Sequence, residues 1–412
     1  MEQENFLNFH ALISHSPSCL NRDDMNMQKS AIFGGVRRVR ISSQCLKRAM
    51  RKSDYYLTNL GKPSDRTRSL ELLKQQFTEE IKEFEPRIIG EAIDRFAKTS
   101  ISEQEAEEPD DELMEETDAP TDKKLASKKT AVAPWVKDEV RIICEIVRDV
   151  KKAGLSESER KKAQEKFNKQ KTKKKKLEEL KAELFENKIQ KAVTERANDL
   201  RKACGSALDI ALFGRMATSG LMTTIDGAMS CSHSITTHAV DADIDWFTAV
   251  DDLVPLGSGH LDTQEFSSGV FYRYANINLK QLSDNMCDAD RHKALNVSAH
   301  LLHLLATVTP SAKQKSFAAY NPADLVMVLF SDLPLSAANA FEKPVELERP
   351  GGFLRPSIKA LEDYVSRVYT GYGLNDPKAV FSLWDTTLEP KKATLEDLKN
   401  WVRNDGKDNA GE

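Results

Sequence analysis

Residues 22–52 read RDDMNMQKSAIFGGVRRVRISSQCLKRAMRK and hold nine Lys or Arg side chains against two acids, Asp23 and Asp24. The whole chain has a formal net charge of −4. A local cationic surplus on an acidic chain calls for an anion. Phosphate is the natural one, because guanidinium and ammonium groups make charge-assisted hydrogen bonds to its oxygens. Ser42 or Ser43 is placed to cap a helix whose first turns, SQCLKRAMRK, contain four cations and no acid. Helix N-termini favour acids, so this pattern is mildly unfavourable unless an anion shares the free N–H groups. Lys47 with Arg51, and Arg48 with Lys52, are i,i+4 neighbours and form two cationic ridges. Arg37, Arg38 and Arg40 add a second basic element just upstream. The combination reads as a groove for a nucleic-acid backbone, with a solvated basic face as the alternative. There is no GxxxxGK[ST] motif, and Gly34-Gly35 alone does not make a P-loop.

A second ligand-rich run is HSITTHAVDADID, with His233, His238, Asp241, Asp243 and Asp245. It could recruit a divalent ion for a metal-dependent RNA or DNA nuclease. On a strand, however, His238 faces away from the odd-numbered residues, and no HExxH or EF-hand spacing appears. His300 and His303, in AHLLHLL, read as core or interface residues. The six cysteines form no CxxC pair, which fits isolated reduced thiols in a cytoplasmic protein. No cofactor or metal is expected. Nor is a membrane partner, since no apolar stretch reaches the length of a span and no secretory signal is visible.

The 412 residues, 40% hydrophobic and 30% charged, suit two or three structural units. NFLNFHALI (5–13) alternates as a strand near a sheet centre, with Leu7, Phe9, Ala11 and Ile13 facing one way. A loop follows, then VRRVRIS as a short strand. The helix after Ser42 has Leu46, Ala49, Met50, Leu57 and Leu60 as its apolar stripe. The acidic stretch at 103–122 predicts a disordered surface insertion. Residues 135–150 recover a helix with Val136, Val140, Ile143, Ile146, Val147 and Val150 inward, and 156–202 read as a long solvated helix or hairpin. A protein-binding scaffold that uses this 156–202 segment is a further alternative function. SALDIALF (206–213), 231–240, 266–279, KSFAAY (315–320) and 324–332 are predicted strands. Helices are predicted over 291–306, 356–369 and 394–404, the last with a Thr394/Asp397 capping box. The pattern is α+β, a sheet domain carrying a helical insertion.

NFHALISHSPSCLNRDDMNMQKSAIFGGVRRVRISSQCLKRAMRKS resembles the start of the CasC family, the RAMP-superfamily backbone subunit of the type I-E CRISPR complex Cascade. ALFGRMATSG, DGAMSCSHSITTHAVDADIDWFTAVDDL, LDTQEFSSGVFYRYANINL, FAAYNPADLVMV, LPLSAANAFEKP and GYGLN continue the resemblance over about nine-tenths of the chain. It departs mainly at 100–205. The resemblance implies an RRM-like (ferredoxin-like) palm at 1–60, 206–245 and 269–412, the last part with C-terminal helices. Helical fingers would span 61–205, with the acidic insertion at about 100–134, and a β-hairpin thumb 246–268, its turn at Pro255, Gly257, Ser258 and Gly259. It also implies a non-catalytic protein stacked in copies along CRISPR RNA, with other Cascade subunits and target DNA as partners. Arg22, Lys29, Arg40, Ser42, Gln44, Lys47 and Arg51 match the family's phosphate and sugar contacts, and Arg48 lies on the same ridges. Met216, Thr248 and Leu261 match side chains that wedge where the guide kinks. Family fingers-domain lysines look like contacts to target duplex, and the resemblance implies that role for Lys171, Lys173, Lys174, Lys175 and Lys176, which lie in the stretch where it departs.

Overall fold

The computed structural model describes residues 4–98, 133–169, 177–216, 224–250 and 258–408. The alternating N-terminal run forms β1 (Phe6–Ser18), longer than the predicted strand. β2 (Ser30–Phe33) and β3 (Val36–Ile41) turn on Gly34 and Gly35, both at positive φ. Helices α1 (Ser43–Lys52) and α2 (Asp54–Leu60) replace the single predicted helix. Ser53 ends the first and caps the second, its hydroxyl accepting from Tyr56 N–H. The break turns Leu57 outward while Leu46, Met50 and Leu60 stay buried.

The chain then enters a helical unit. β4 (Asp65–Thr67) pairs antiparallel with β5 (Ala133–Trp135). Around this ribbon come α3 (Leu70–Glu80), α4 (Pro86–Lys98), α5 (Lys137–Ala153), α6 (Glu157–Lys169), α7 (Leu177–Glu195) and α8 (Ala197–Gly205). All of these helices except α6 contribute to a core of their own, in which Phe77, Ile93 and Phe96 meet Val140, Ile143, Ile146, Val147, Val150 and Ile189. Val136 belongs instead to a small cluster with Cys204, Ala207 and Ile210 at the way out of this unit. The tract 171–176, the insertion at 103–122, and Pro255 and Gly257 lie outside the described residues.

After α9 (Leu208–Phe213), the chain returns to the sheet through β6 (Met229–Cys231), β7 (Ser234–Thr236), β8 (Asp243–Val250) and β9 (Ser258–Asn278). Then follow α10 (Leu279–Asn285), α11 (Arg291–Thr307), α12 (Gln314–Phe317), β10 (Leu325–Ser331), α13 (Leu354–Tyr372), β11 (Lys378–Ser382) and α14 (Leu395–Arg403). The sheet order is β11-β10-β1-β9-β7-β3-β2, with β6 and β8 also on β9, and every pairing is antiparallel.

Two predicted strands are helices. SALDIALF is α9 and KSFAAY contains α12. Short apolar runs fit either period. Here the sheet leaves them no place, because β1 is flanked along its length by β9 and β10.

Both faces of the sheet are covered. Leu7, Phe9, Ala11 and Ile13 of β1 join Phe271, Ala275 and Ile277 of β9 beneath α1, α2, α9, α10, α11 and α14. On the other face Leu12, Tyr272, Tyr274 and Met327 pack under α13 and Phe341. The segment 333–342 straps this second face through bonds from its own backbone. Leu335 N–H donates to Asn8 Oδ1 (2.9 Å), Ala337 N–H to the Tyr272 hydroxyl (3.0 Å), and Arg38 to the Phe341 carbonyl (2.8 Å).

Two histidines sit inside these layers. His10 is fully buried, with Nδ1 2.8 Å from the Tyr272 hydroxyl, and burial pushes its pKa down to about 3. His15 is also pushed down to about 3, chiefly by burial and then by the Arg273 cation at 3.3 Å. In an unfolded chain both titrate near 6.5, so protons favour unfolding. Stability is complete above about pH 6.5 and falls as pH drops from there toward 3, by about 1.4 kcal/mol per pH unit for each histidine. Urea midpoints measured from about pH 7 to about pH 5 should fall accordingly, and more gently in His15→Asn. An unchanged slope in that variant would remove His15 from the account.

Candidate nucleic-acid interface

The acid-free start of α1 is capped by neutral acceptors. Ser42, completely buried, accepts Cys45 N–H on its hydroxyl (3.2 Å), and its own N–H donates to Asn21 Oδ1 (2.9 Å). His233 Nδ1 accepts Ser43 N–H (3.1 Å). The acid-free sequence leaves this end open for a phosphate, and the family resemblance implies Ser42 as a contact. The structure assigns the Ser42 hydroxyl to the cap, because an unsatisfied N–H beside a buried hydroxyl is costly.

The two cationic ridges of α1 separate. Gln44, Arg48 and Lys52, four residues apart, are exposed on the outer face. Lys47 is half-buried with its ammonium 5.5 Å from the Phe213 ring centre, and burial lowers its pKa. Arg51 is buried, with one guanidinium nitrogen 3.9 Å from Asp209 Oδ2, and burial brings it down to about 10.

The upstream arginines differ in burial along β3. Arg38 is fully buried and donates to the carbonyls of Phe33, Thr236 and Phe341, so it is a structural cation and leaves the basic surface. Arg37 is exposed and pairs with buried Glu265 of β9 at 3.4 Å. Arg40 is half-buried with a guanidinium nitrogen 3.5 Å from His233 Nδ1. Arg22 and Lys29 are half-buried on the preceding loop, where Arg22 donates to Asn26 and bridges Gln28. Asp23 is turned into its own loop, accepting from Met25 and Met27 N–H. Arg22, Lys29, Arg40, Gln44, Lys47 and Arg48 thus retain solvent access around one helix start, while Ser42 and Arg51 lie beneath it.

β9 carries this region into a hairpin. Its second half, from Ser267, lies in the sheet beside β1, and its first half pairs with β8. The pairing begins at Asp243, earlier than the predicted 246. Thr248 and Leu261 are direct cross-strand partners, so two of the three matched wedge positions come from opposite strands of one hairpin. The hairpin base is tied to the basic loop through Glu265, which accepts Gln28 N–H (3.0 Å).

Met216 is 92% exposed and follows a fixed point. Arg215 and Ile225 exchange backbone hydrogen bonds (2.8 and 2.9 Å). The Arg215 guanidinium grips Glu139, in the first turn of α5, through two bonds of 2.6 and 2.8 Å, both side chains fully buried. Sequence reading missed this pair, whose members are 76 positions apart. It also missed Asp209, whose one signal is an acid inside the apolar run SALDIALF.

The histidine–aspartate run does not converge. His238 stacks on Phe353 (3.7 Å), donates from Nδ1 to the Ala239 carbonyl and accepts Val270 N–H on Nε2, which fixes it as neutral. Burial also lowers its pKa. Among the described residues no group of three or more His, Cys, Asp or Glu could hold a metal ion. His300 and His303 serve an interface with α2, the first bonded to the Tyr55 hydroxyl (2.9 Å) and the second stacked on its ring (3.8 Å). Among the described residues, no helix is long and apolar enough to cross a membrane.

The model of the CT1975-like protein family matches residues 7–403. This chain belongs to that family. A chain of a solved CRISPR RNA-guided surveillance complex in its pre-nicking state is 26% identical, with a TM-score of 0.68, over 97% of this chain and 100% of that one. A chain of a second CRISPR RNA-guided surveillance complex shares the fold at a TM-score of 0.55 and 21% identity, over 97% and 98%. No curated protein matches the sequence.

The Glu139–Arg215 grip makes a direct prediction. Removing one member of a buried pair strands the other charge, at a cost of about 3–5 kcal/mol. Glu139→Gln should therefore lower the urea-unfolding free energy by about that amount. The double variant Glu139→Leu/Arg215→Met should recover much of the loss. Equal stability of Glu139→Gln and the wild type would show that the pair carries no such energy.

Proposed function

We propose that this chain is a non-catalytic, sequence-independent backbone subunit of a CRISPR surveillance complex, of the type I-E CasC kind. It binds guide RNA in several copies along its length. The observation that carries this reading is the end-to-end likeness to a chain of a CRISPR RNA-guided surveillance complex. The cation arrangement supports it. Arg22, Lys29, Arg40, Gln44, Lys47 and Arg48 surround the start of α1, beside the base of the β8–β9 hairpin. Phosphate contacts hold position without reading sequence, as a scaffold for varied guides requires.

In this reading the antiparallel sheet is the RRM-like palm, the helical unit the fingers and the β8–β9 hairpin the thumb. Because helices cover one sheet face and the strap with α13 the other, RNA runs along the rim, not across an open sheet. Met216, Thr248 and Leu261 wedge at the guide's kinks, where unstacking costs a few kcal/mol per step and backbone contacts offset it. The remaining partners are target DNA, further copies of the chain and other Cascade subunits. Lys171 and Lys173–Lys176 contact the target duplex.

The test is whether the purified chain or its complex carries RNA of uniform length, and whether Arg40→Glu/Arg48→Glu loses it without loss of thermal stability. These residues are chosen over Arg51, whose replacement by Glu would bury a second acid beside Asp209. Wild-type RNA content in the double variant would overturn the reading. With magnesium or manganese, guide-paired RNA and DNA should stay intact in both the wild type and Asp245→Ala. Metal-dependent cutting that disappears in Asp245→Ala would establish the nuclease instead.

A further inference from the structure

At the joint between the sheet and the helical unit, the side chains around Asp209 leave a surplus of positive charge. Asp209 is fully buried in the first turn of α9. Both its oxygens are already engaged, Oδ1 by Ser64 N–H (2.8 Å) and Oδ2 by the Ser64 hydroxyl (2.6 Å). Two guanidiniums approach the same Oδ2 without reaching hydrogen-bond distance, Arg51 at 3.9 Å and Arg66 at 3.8 Å. Arg51 Nε is buried with no hydrogen-bond partner. Lys47 lies one turn before Arg51 on the same helix and feels the Arg66 charge, so two guanidiniums and a neighbouring ammonium share one carboxylate's surroundings. Burial is the main cause that lowers both Lys47 and Arg51, and the Arg66 charge lowers each further. Mutual repulsion of this kind is relieved by an anion. The site is reachable from one side, because the Arg66 side chain remains 34% exposed while that of Arg51 is 9% exposed.

We propose that Arg66, together with Lys47 and Arg51, seats one phosphodiester of the bound RNA at this joint. The inference rests on the RNA-binding reading and adds to it a contact from the helical unit. Arg66 lies on β4, at the entry to that unit, and Lys47 and Arg51 lie on α1. A single phosphate would therefore span the two parts of the molecule. Guanidinium geometry suits this task, since its planar donors fit two oxygens at once. The surface-facing cations Arg40 and Arg48 track the strand; the Arg66 seat fixes where the strand passes from sheet to helices.

The test uses the full chain and a fluorescein-labelled single-stranded RNA titrated over a range of salt. Each phosphate contact contributes about 0.7 to the slope of log K against log salt for a single strand. Arg66→Gln should reduce the slope by about that amount and weaken binding about tenfold at low salt. Arg66→Lys should restore the slope, since it returns the charge, and Lys359→Gln at an exposed position of α13 should leave it unchanged. Thermal melting of each variant separates lost packing against Asp209 from lost RNA contact, because a structural defect would not alter the slope by one phosphate. A wild-type slope in Arg66→Gln overturns the seat alone. A wild type that binds no RNA overturns the RNA-binding reading, and the seat with it.

Discussion

The relation between the two parts of the molecule depends on one buried carboxylate. Asp209 belongs to the returning chain at α9, Ser64 to the departing chain before β4, and Arg51 to α1. Taking a carboxylate out of water costs several kcal/mol, and its pairs repay that only with good geometry and further hydrogen bonds. The two Ser64 bonds supply those, and the guanidiniums supply opposite charge at longer range. Net stabilisation is small in such an arrangement. What it contributes is selectivity of geometry, because any other placement of the departing and returning strands leaves the acid unsatisfied. The Glu139–Arg215 grip acts in the same way one step further on, tying α5 to the segment that follows α9.

These joints also explain the division of labour among the cations. A string of like charges on adjacent turns cannot all remain at the surface if the helix is to pack. Lys47 and Arg51 take the inner side, where Phe213 and Asp209 receive them. Arg48 and Lys52 keep the outer side, with Gln44. Arg38 joins β7 to the strap through the carbonyls of Thr236 and Phe341, a task its charge suits because a guanidinium can satisfy several acceptors at once.

How much of this could be read from the residues depends on the range of the interaction. Strand β1 was legible because both its faces are buried in layers that alternate strictly along the chain. Helix α14 was legible because its capping box is local, with Thr394 and Asp397 exchanging bonds three positions apart. Five of the apolar positions of 135–150 are buried together for a local reason too, the period of one helix, whereas Val136 precedes that helix and packs in another cluster. Runs such as SALDIALF carry no period long enough to decide between helix and strand, and the decision falls to space left beside β9. The site was harder. Charge count found the basic segment, yet two of the carbonyls that bury Arg38 lie 198 and 303 positions later, and Arg51 meets its acid in α9. Those distant partners leave no trace near the arginines they claim.

The capping of α1 shows what the local charge pattern selects for. An Asp or Glu in the first turn would stabilise this helix by about 0.3–1 kcal/mol through the macrodipole. Instead a serine hydroxyl and an imidazole nitrogen satisfy the N–H groups of Cys45 and Ser43. Both acceptors are uncharged, so the end of the helix keeps its partial positive charge and adds it to Arg40 and Arg48 nearby. An acidic cap would satisfy the same N–H groups while cancelling part of the field that a phosphate chain follows along this rim. Neutral capping therefore gives up a fraction of a kcal/mol of helix stability and leaves the surface positive, on a chain whose overall charge is negative.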